Sequence, residues 1–204
     1  MYTPKKLALT ESQSWDFVEA FPFAQMISAD PLQCTHIPMI LHRRDSVAVL
    51  HTHMAKANPH HRELDGKEVL VIFAGPHTYI SGQWYESKPA VPTWNYAAVH
   101  VYAKVEVLPP SFNKAFSREI LAAYEPHFTA QEDIYDEAYM DKLDTAIVSM
   151  KLHVTSVEGK FKLGQHKHVN DQKAIYQTLS NSERLDDLQL AALMREWNIG
   201  TGEA

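Results

Sequence analysis

The sequence lacks several features that would make a function class readable at once. It has no run of about 18 apolar residues, the minimum for a membrane-spanning helix. Its opening MYTPKKLALTESQ has no apolar core of signal-peptide length. A soluble, cytoplasmic protein without membrane contact is expected. The chain has 1 cysteine, Cys34, so no internal disulfide can form, and its apolar, strand-like surroundings predict a buried thiol. Basic charge is not in excess: 19 Lys and Arg stand against 25 Asp and Glu, for a net charge of -6. With no recognisable helix-turn-helix, direct DNA binding is disfavoured. There is no GxSxG and no HExxH, and Gly75-Pro76-His77 lacks the spacing of a phosphate loop. No internal repeat and no Gly/Ser-rich linker occurs. The 204 residues therefore read as a single domain, 1–204, with 168–204 a helical C-terminal extension.

What the chain does have is concentrated between Leu50 and Tyr96. Histidines gather in or near that stretch (His36, His42, His51, His53, His60, His61, His77), and Trp84 and Trp94 stand in its second half. Between them Val69–Phe73, VLVIF, reads as a buried central strand bounded by Asp65-Gly66 and Gly75-Pro76. Polar and aromatic residues at the ends of strands are well placed to meet a ligand.

In chain order, Thr10 and Gln13 form a capping box that predicts a helix ended by Pro22. Phe23–Ser28 and Ser46–His51 read as strands. So does Cys34–Leu41, in which Pro38 marks an edge or a bulge. Ala55–Leu64 reads as a short helical turn, and Trp84–Tyr96 as a long ordered loop. Val99–Val107 alternates cleanly, with Val99, Val101, Ala103, Val105 and Val107 on one face. Pro109-Pro110 opens a helix to about Tyr124, Gln131–Asp144 predicts another, and Ala146–Thr155 is a strand that Glu158-Gly159-Lys160 turns. Helical period returns from Asn170 to Trp197. Successive strands without regular crossover helices point to an antiparallel sheet or small barrel, mainly β with helices (α+β).

Few side-chain groups carry chemistry on their own. Lys56 follows Thr52 by four residues just past a strand end, an arrangement that suits a phosphate but equally a solvated lysine. His51, His53, His60 and His61 have no cysteine, aspartate or glutamate at ligand-like spacing, so no metal ligands are assigned. Trp84 and Trp94 fit either aromatic packing or a stacked planar ligand. No catalytic acid or base is assigned; His36 and His53 are the candidates to test.

Several motifs in order carry a resemblance: THIP at Thr35–Pro38, HMAKANP at His53–Pro59, VIFAGPHTYIS at Val71–Ser81 and VPTWNYAAVH at Val91–His100. EGKFKLGQ at Glu158–Gln165 and the initial MYTP add to it. Together they resemble the PaiB family of FMN-binding proteins, whose prototype is described as a negative transcriptional regulator of protease synthesis and sporulation. The resemblance implies an antiparallel split β-barrel of the FMN-binding type with C-terminal helices. It also implies a homodimer with FMN held in clefts between subunits. By that likeness Thr52, His53, Lys56 and Asn58 surround the flavin phosphate and ribityl chain, and Thr35, His36, Ile37 and Pro38 run along the isoalloxazine. Trp84 and Trp94 come from loops near the cleft. The family motif commonly has Arg where Lys56 stands, so the cation is kept and a bidentate donor is lost. The implied activity is that of a flavoprotein, as a flavin-dependent oxidoreductase or a flavin-linked regulator. Two alternatives stand beside it: a transcriptional regulatory protein acting without redox chemistry, and a haem-binding protein.

Overall fold

The computed structural model describes residues 1–44, 47–126 and 136–203. The capping box forms as the sequence predicts. Thr10 N donates to Gln13 Oε1 at 2.9 Å and Gln13 N to Thr10 Oγ1 at 3.2 Å. Helix α1 follows at Glu11–Ala20. Seven strands make one antiparallel sheet: β1 (Phe23–Ala29), β2 (Leu32–Pro38), β3 (Ile40–Arg44), β4 (Val47–Ala55), β5 (Glu68–Ile80), β6 (Thr93–Val107) and β7 (Ile147–Lys162), in the order β2-β1-β5-β6-β7-β4-β3. Four more helices are α2 (Asn113–Tyr124), α3 (Glu137–Asp144), α4 (Val169–Ser180) and α5 (Leu185–Glu196). Among the described residues no helix is long and apolar enough to cross a membrane.

The chain divides into two compact units, and β5, β6 and β7 each contribute residues to both. The unit made of residues 18–73 and 100–157 holds β1 to β4. Here the sheet curls on itself, because β2 touches β4 although the two are not neighbours in the sheet order. Thr52 Oγ1 of β4 donates to the Pro38 carbonyl at 2.7 Å. Met26, Val71, Phe73, Val101, Ala103, Met150 and Leu152 fill its interior. Their alternation along each strand follows from the two-residue period of the pleat.

The unit made of residues 1–17, 74–99 and 158–204 is built on α4, α5 and the strand ends. Phe17, Phe161 and Trp197 pack edge to face at its centre, with Phe161 centroids 5.4 Å from Phe17 and 4.9 Å from Trp197. Asp187 of α5 accepts from Thr78 Oγ1 at 2.5 Å and from Ser182 Oγ at 2.7 Å, which anchors α5 to β5.

Several expectations are corrected. Cys34–Leu41 is two strands, not one, broken at Met39, whose N–H donates to Pro22 O at 2.9 Å. Gly75-Pro76 does not close the VLVIF strand, and Glu158-Gly159-Lys160 is not a turn: both lie inside long strands. These glycines serve close approach instead. A Cβ at Gly75 would meet Phe17 Cζ at 2.7 Å, and one at Gly159 would meet Leu9 Cβ at 2.8 Å. Pro76 is tolerated because the β1–β5 ladder ends at Ile72. The segment read as a loop to Tyr96 becomes strand at Thr93. Cys34 is exposed rather than buried, since β2 is an edge strand and turns Thr35 and Ile37 inward instead. Ser46 and residues 131–135 of the expected Gln131–Asp144 helix lie outside the described residues.

Candidate functional site

Asn58 caps the 3₁₀ turn Pro59–Glu63 by accepting from His60 N at 3.0 Å, which fixes His60 beneath β2. A chain of hydrogen bonds then runs through buried and half-buried side chains. Asn58 Nδ2 donates to Thr35 Oγ1 at 3.2 Å, and Thr35 Oγ1 stands 2.7 Å from His60 Nδ1. His60 Nε2 stands 3.0 Å from Ser28 Oγ, and Ser28 Oγ donates to Pro31 O at 2.6 Å. The Pro31 carbonyl fixes the direction at the Ser28 end. A carbonyl accepts only, so Ser28 spends its hydrogen on Pro31 and must receive the Nε2–H of His60. His60 Nδ1 is then bare and receives the Thr35 hydroxyl, whose lone pair takes Asn58. The neutral imidazole completes this chain with one ring nitrogen donating and the other accepting. Burial, which leaves His60 3% exposed, also pushes its pKa below the ordinary value.

Thr52, fully buried, is likewise spent on protein through Pro38 O. Ile37 is core, and Pro38 ends β2 opposite Phe23. His36 lies on the outer face of β2, where its ring stacks near Phe23 with centroids 6.2 Å apart.

The end of β4 is different. His53, opposite Ser149 of β7, has a buried Nδ1 with no hydrogen-bond partner among the described residues. Burial lowers its pKa from the ordinary value, and the Asp144 carboxylate partly offsets this. Asp144 is itself occupied, accepting from Ser117 Oγ at 2.6 Å and pairing with Arg118 at 3.4 Å. Three residues after His53, the backbone of Lys56 is held at both ends. Its N–H donates to Ala146 O at 2.7 Å, and its carbonyl accepts from His61 Nε2 at 3.1 Å. Its side chain is exposed, and its ammonium makes no hydrogen bond or ion pair with a described residue. A pinned backbone and a free cation, three residues in sequence from an unspent imidazole nitrogen, suit an anionic oxygen ligand.

The chain matches the family model described as "Putative FMN-binding domain" over residues 1–156. The chain belongs to this family. It is also 32% identical over 204 residues to the protease synthase and sporulation protein PAI 2 of Bacillus subtilis, covering 96% of this chain and 97% of that protein. The PaiB resemblance carried by the motifs is thereby borne out. Two solved structures share the fold. The FAD and haem binding protein from Mycobacterium smegmatis aligns with a TM-score of 0.59 at 16% identity, over 78% of this chain and 75% of that one. The flavocytochrome from Azotobacter vinelandii aligns with a TM-score of 0.54 at 12% identity, over 78% and 70%. The fold is the antiparallel split β-barrel with helices, as expected from the sequence.

Of the residues expected around a flavin in this family, the structure brings Thr35 together with Asn58, and Thr52 with Pro38. Trp84 ends a 3₁₀ turn, Gly82–Trp84, and Trp94 lies on β6, both in the other unit. Trp94 is 54% exposed and has the rings of His77 and Tyr79 each at 6.2 Å. Sequence reasoning missed the joint role of His60 and Ser28. His60 was visible in the histidine cluster, but nothing in the sequence pairs it with a serine 32 residues away.

Proposed function

We propose that this chain binds FMN at the end of β4, with the phosphate taken by the Lys56 ammonium and the His53 imidazole. The observation that carries this reading is the buried, unpartnered Nδ1 of His53 three residues from an unpaired cation. A buried polar atom without a partner costs roughly 1–3 kcal/mol, and a ligand that satisfies it recovers that cost. The family description, FMN-binding, supports the same cofactor. A bound flavin supplies one- and two-electron transfer, and the protein supplies binding and orientation. Thr35, Thr52 and Asn58 act from behind, holding β2 and the turn after β4 in place, while His36 and Pro38 offer the outer side and end of β2.

We further infer a homodimer through the outer face of β1 and β2. Phe23 is 60% exposed and Leu32 80% exposed, and Cys34 and His36 lie on the same face. Beside them a groove of about 490 Å³ is lined by Ile27, Leu32, Leu70 and Tyr102. Apolar patches of this kind on a globular protein mark interaction sites. With a net charge of -6, regulation in this reading runs through the flavin or a protein partner rather than through DNA.

Titration of purified protein with FMN, followed by flavin absorbance and fluorescence, tests the assignment. Saturable binding that Lys56→Ala weakens is the expected result. Failure to bind at roughly 100 μM FMN, an affinity below about 5.5 kcal/mol, overturns it. A Soret band on haem titration in the absence of flavin binding would redirect the site to haem.

A further inference from the structure

The antiparallel pair β3 and β4 carries two imidazoles on one face. His42 lies opposite Val49, and His51 opposite Ile40. The two histidines are therefore diagonal neighbours, a spacing that aromatic side chains can bridge. Their ring centroids are 4.0 Å apart. Helix α2 covers this face: Phe116 stacks on His51 with centroids 4.5 Å apart and planes at 19°. Glu119, one turn further along the same helix, reaches both rings. Its Oε2 stands 3.0 Å from His51 Nδ1, and its Oε1 contacts His42 Nε2. One ligand atom from each of the three side chains lies within 4.8 Å of the others.

We propose that His42, His51 and Glu119 bind a divalent transition-metal ion of the zinc class, with water completing the coordination. Two imidazoles and a carboxylate are the donor set that such an ion takes at roughly 2.0–2.2 Å. Ligand atoms around a tetrahedral ion of that size stand roughly 3.3 Å apart, so a gap of 3.0 Å between His51 and Glu119 opens with little movement. Stacking on Phe116 holds the His51 ring before any ion arrives. The His42 side chain is 47% exposed against 16% for His51, so the side of the site toward His42 is open to water. The ligands come from two paired strands and a helix distant in sequence, so the ion would clamp α2 onto β3 and β4. Lys151, directly across from His51 on β7, opposes the cation; its ammonium lies over the Phe112 ring at 5.9 Å.

The site does not depend on the flavin reading and is tested without flavin. Untagged, chelator-stripped full-length protein is titrated with Zn²⁺ by calorimetry and with Co²⁺ by visible absorption. The expected result is 1 ion per chain, a tetrahedral Co²⁺ band and a rise in Tm with zinc. His51→Ala and His42→Ala should each weaken binding by about a hundredfold or more, since even outer partners of a metal site are worth ten- to hundredfold. Lys151→Met should tighten it, a gain that a plain hydrogen-bonded cluster would not show. His153→Ala, which removes an exposed pairing with Glu106, should leave binding unchanged. Should His51→Ala fail to fold, His42→Ala on the edge strand carries the test, with Glu119→Gln beside it. No saturable binding tighter than about 1 mM, or binding that survives the loss of His42, overturns the proposal.

Discussion

Two polar clusters of the same unit differ in what they leave over. In the chain from Asn58 through Thr35 and His60 to Ser28, every side chain has a protein partner, and both ring nitrogens of His60 meet a hydroxyl. At the end of β4, a few residues away in sequence, one imidazole nitrogen and one ammonium have no protein partner among the described residues. A closed network rigidifies the structure, whereas an open one is where a ligand can gain free energy. The HMAKANPHH stretch thus contains both kinds of residue side by side, and residue type does not separate them. His60 is structural for the same reason that His53 is available: the first has two hydroxyl partners and the second has none at Nδ1.

The largest effect should come from breaking the closed cluster. His60→Ala removes two hydrogen bonds and leaves the Thr35 hydroxyl hydrogen without its acceptor, a loss of about 2–4 kcal/mol. Urea unfolding measures it, and a loss under about 1 kcal/mol would show that the network holds little. The same histidine sets a pH dependence. Its folded pKa is lowered by burial, so the unfolded chain binds the proton more readily. Stability from this group is complete above the unfolded value of about 6.5 and is lost as pH falls through the folded value. The slope from one group cannot exceed about 1.4 kcal/mol per pH unit, and His60→Ala should remove that share of it.

The opposite variant tests the open cluster. Lys56→Ala removes a charge-assisted bond to phosphate, which is worth about 1.5–3 kcal/mol, or roughly ten- to hundredfold in FMN affinity. Its effect on stability should stay within about 0.5 kcal/mol, because the backbone holds Lys56 in place without the ammonium. Asn58→Ala should reverse that profile, costing about 1 kcal/mol of stability through the lost cap and changing FMN affinity less than Lys56→Ala does. If the two variants moved the same measurement, the distinction between the clusters would fail.

What was legible in the sequence was mostly period and punctuation. Val99 to Val105 alternates without interruption, so its inward face could be read directly, and it is buried as expected. Thr10 and Gln13 are three residues apart and cap a helix through local bonds alone. Gly75 and Gly159 misled for a physical reason. Glycine serves both turns and close approach, and only the presence of Phe17 or Leu9 against the strand tells them apart. The candidate site was legible as a set of residues, carried by the family motifs, but not as a division of labour. Thr35 and Asn58 owe their roles to His60 and Ser28, contacts that span up to 32 residues and leave no local periodic trace. Glu119 is 68 residues from His51, beyond any spacing rule for metal ligands.

The smallest energetic effect carries the sharpest test of register. Cys34 and His36 face outward on β2 while Thr35 and Ile37 face inward, and a slip of one residue would exchange the two sets. That slip would also withdraw the Thr35 hydroxyl from His60 and undo the closed cluster. Cys34→Ser should therefore change stability by no more than about 0.5 kcal/mol, as for a surface site. The wild-type thiol should react readily with a disulfide reagent in dilute solution. If the outer face of β1 and β2 joins two copies, its reaction should slow as protein concentration rises. Leu32→Glu places a charge on that apolar face and should abolish the concentration dependence while leaving the thiol reactive. A thiol that stays silent in Leu32→Glu until denaturant is added would mean that β2 presents its other face, and the network around His60 would have to be redrawn.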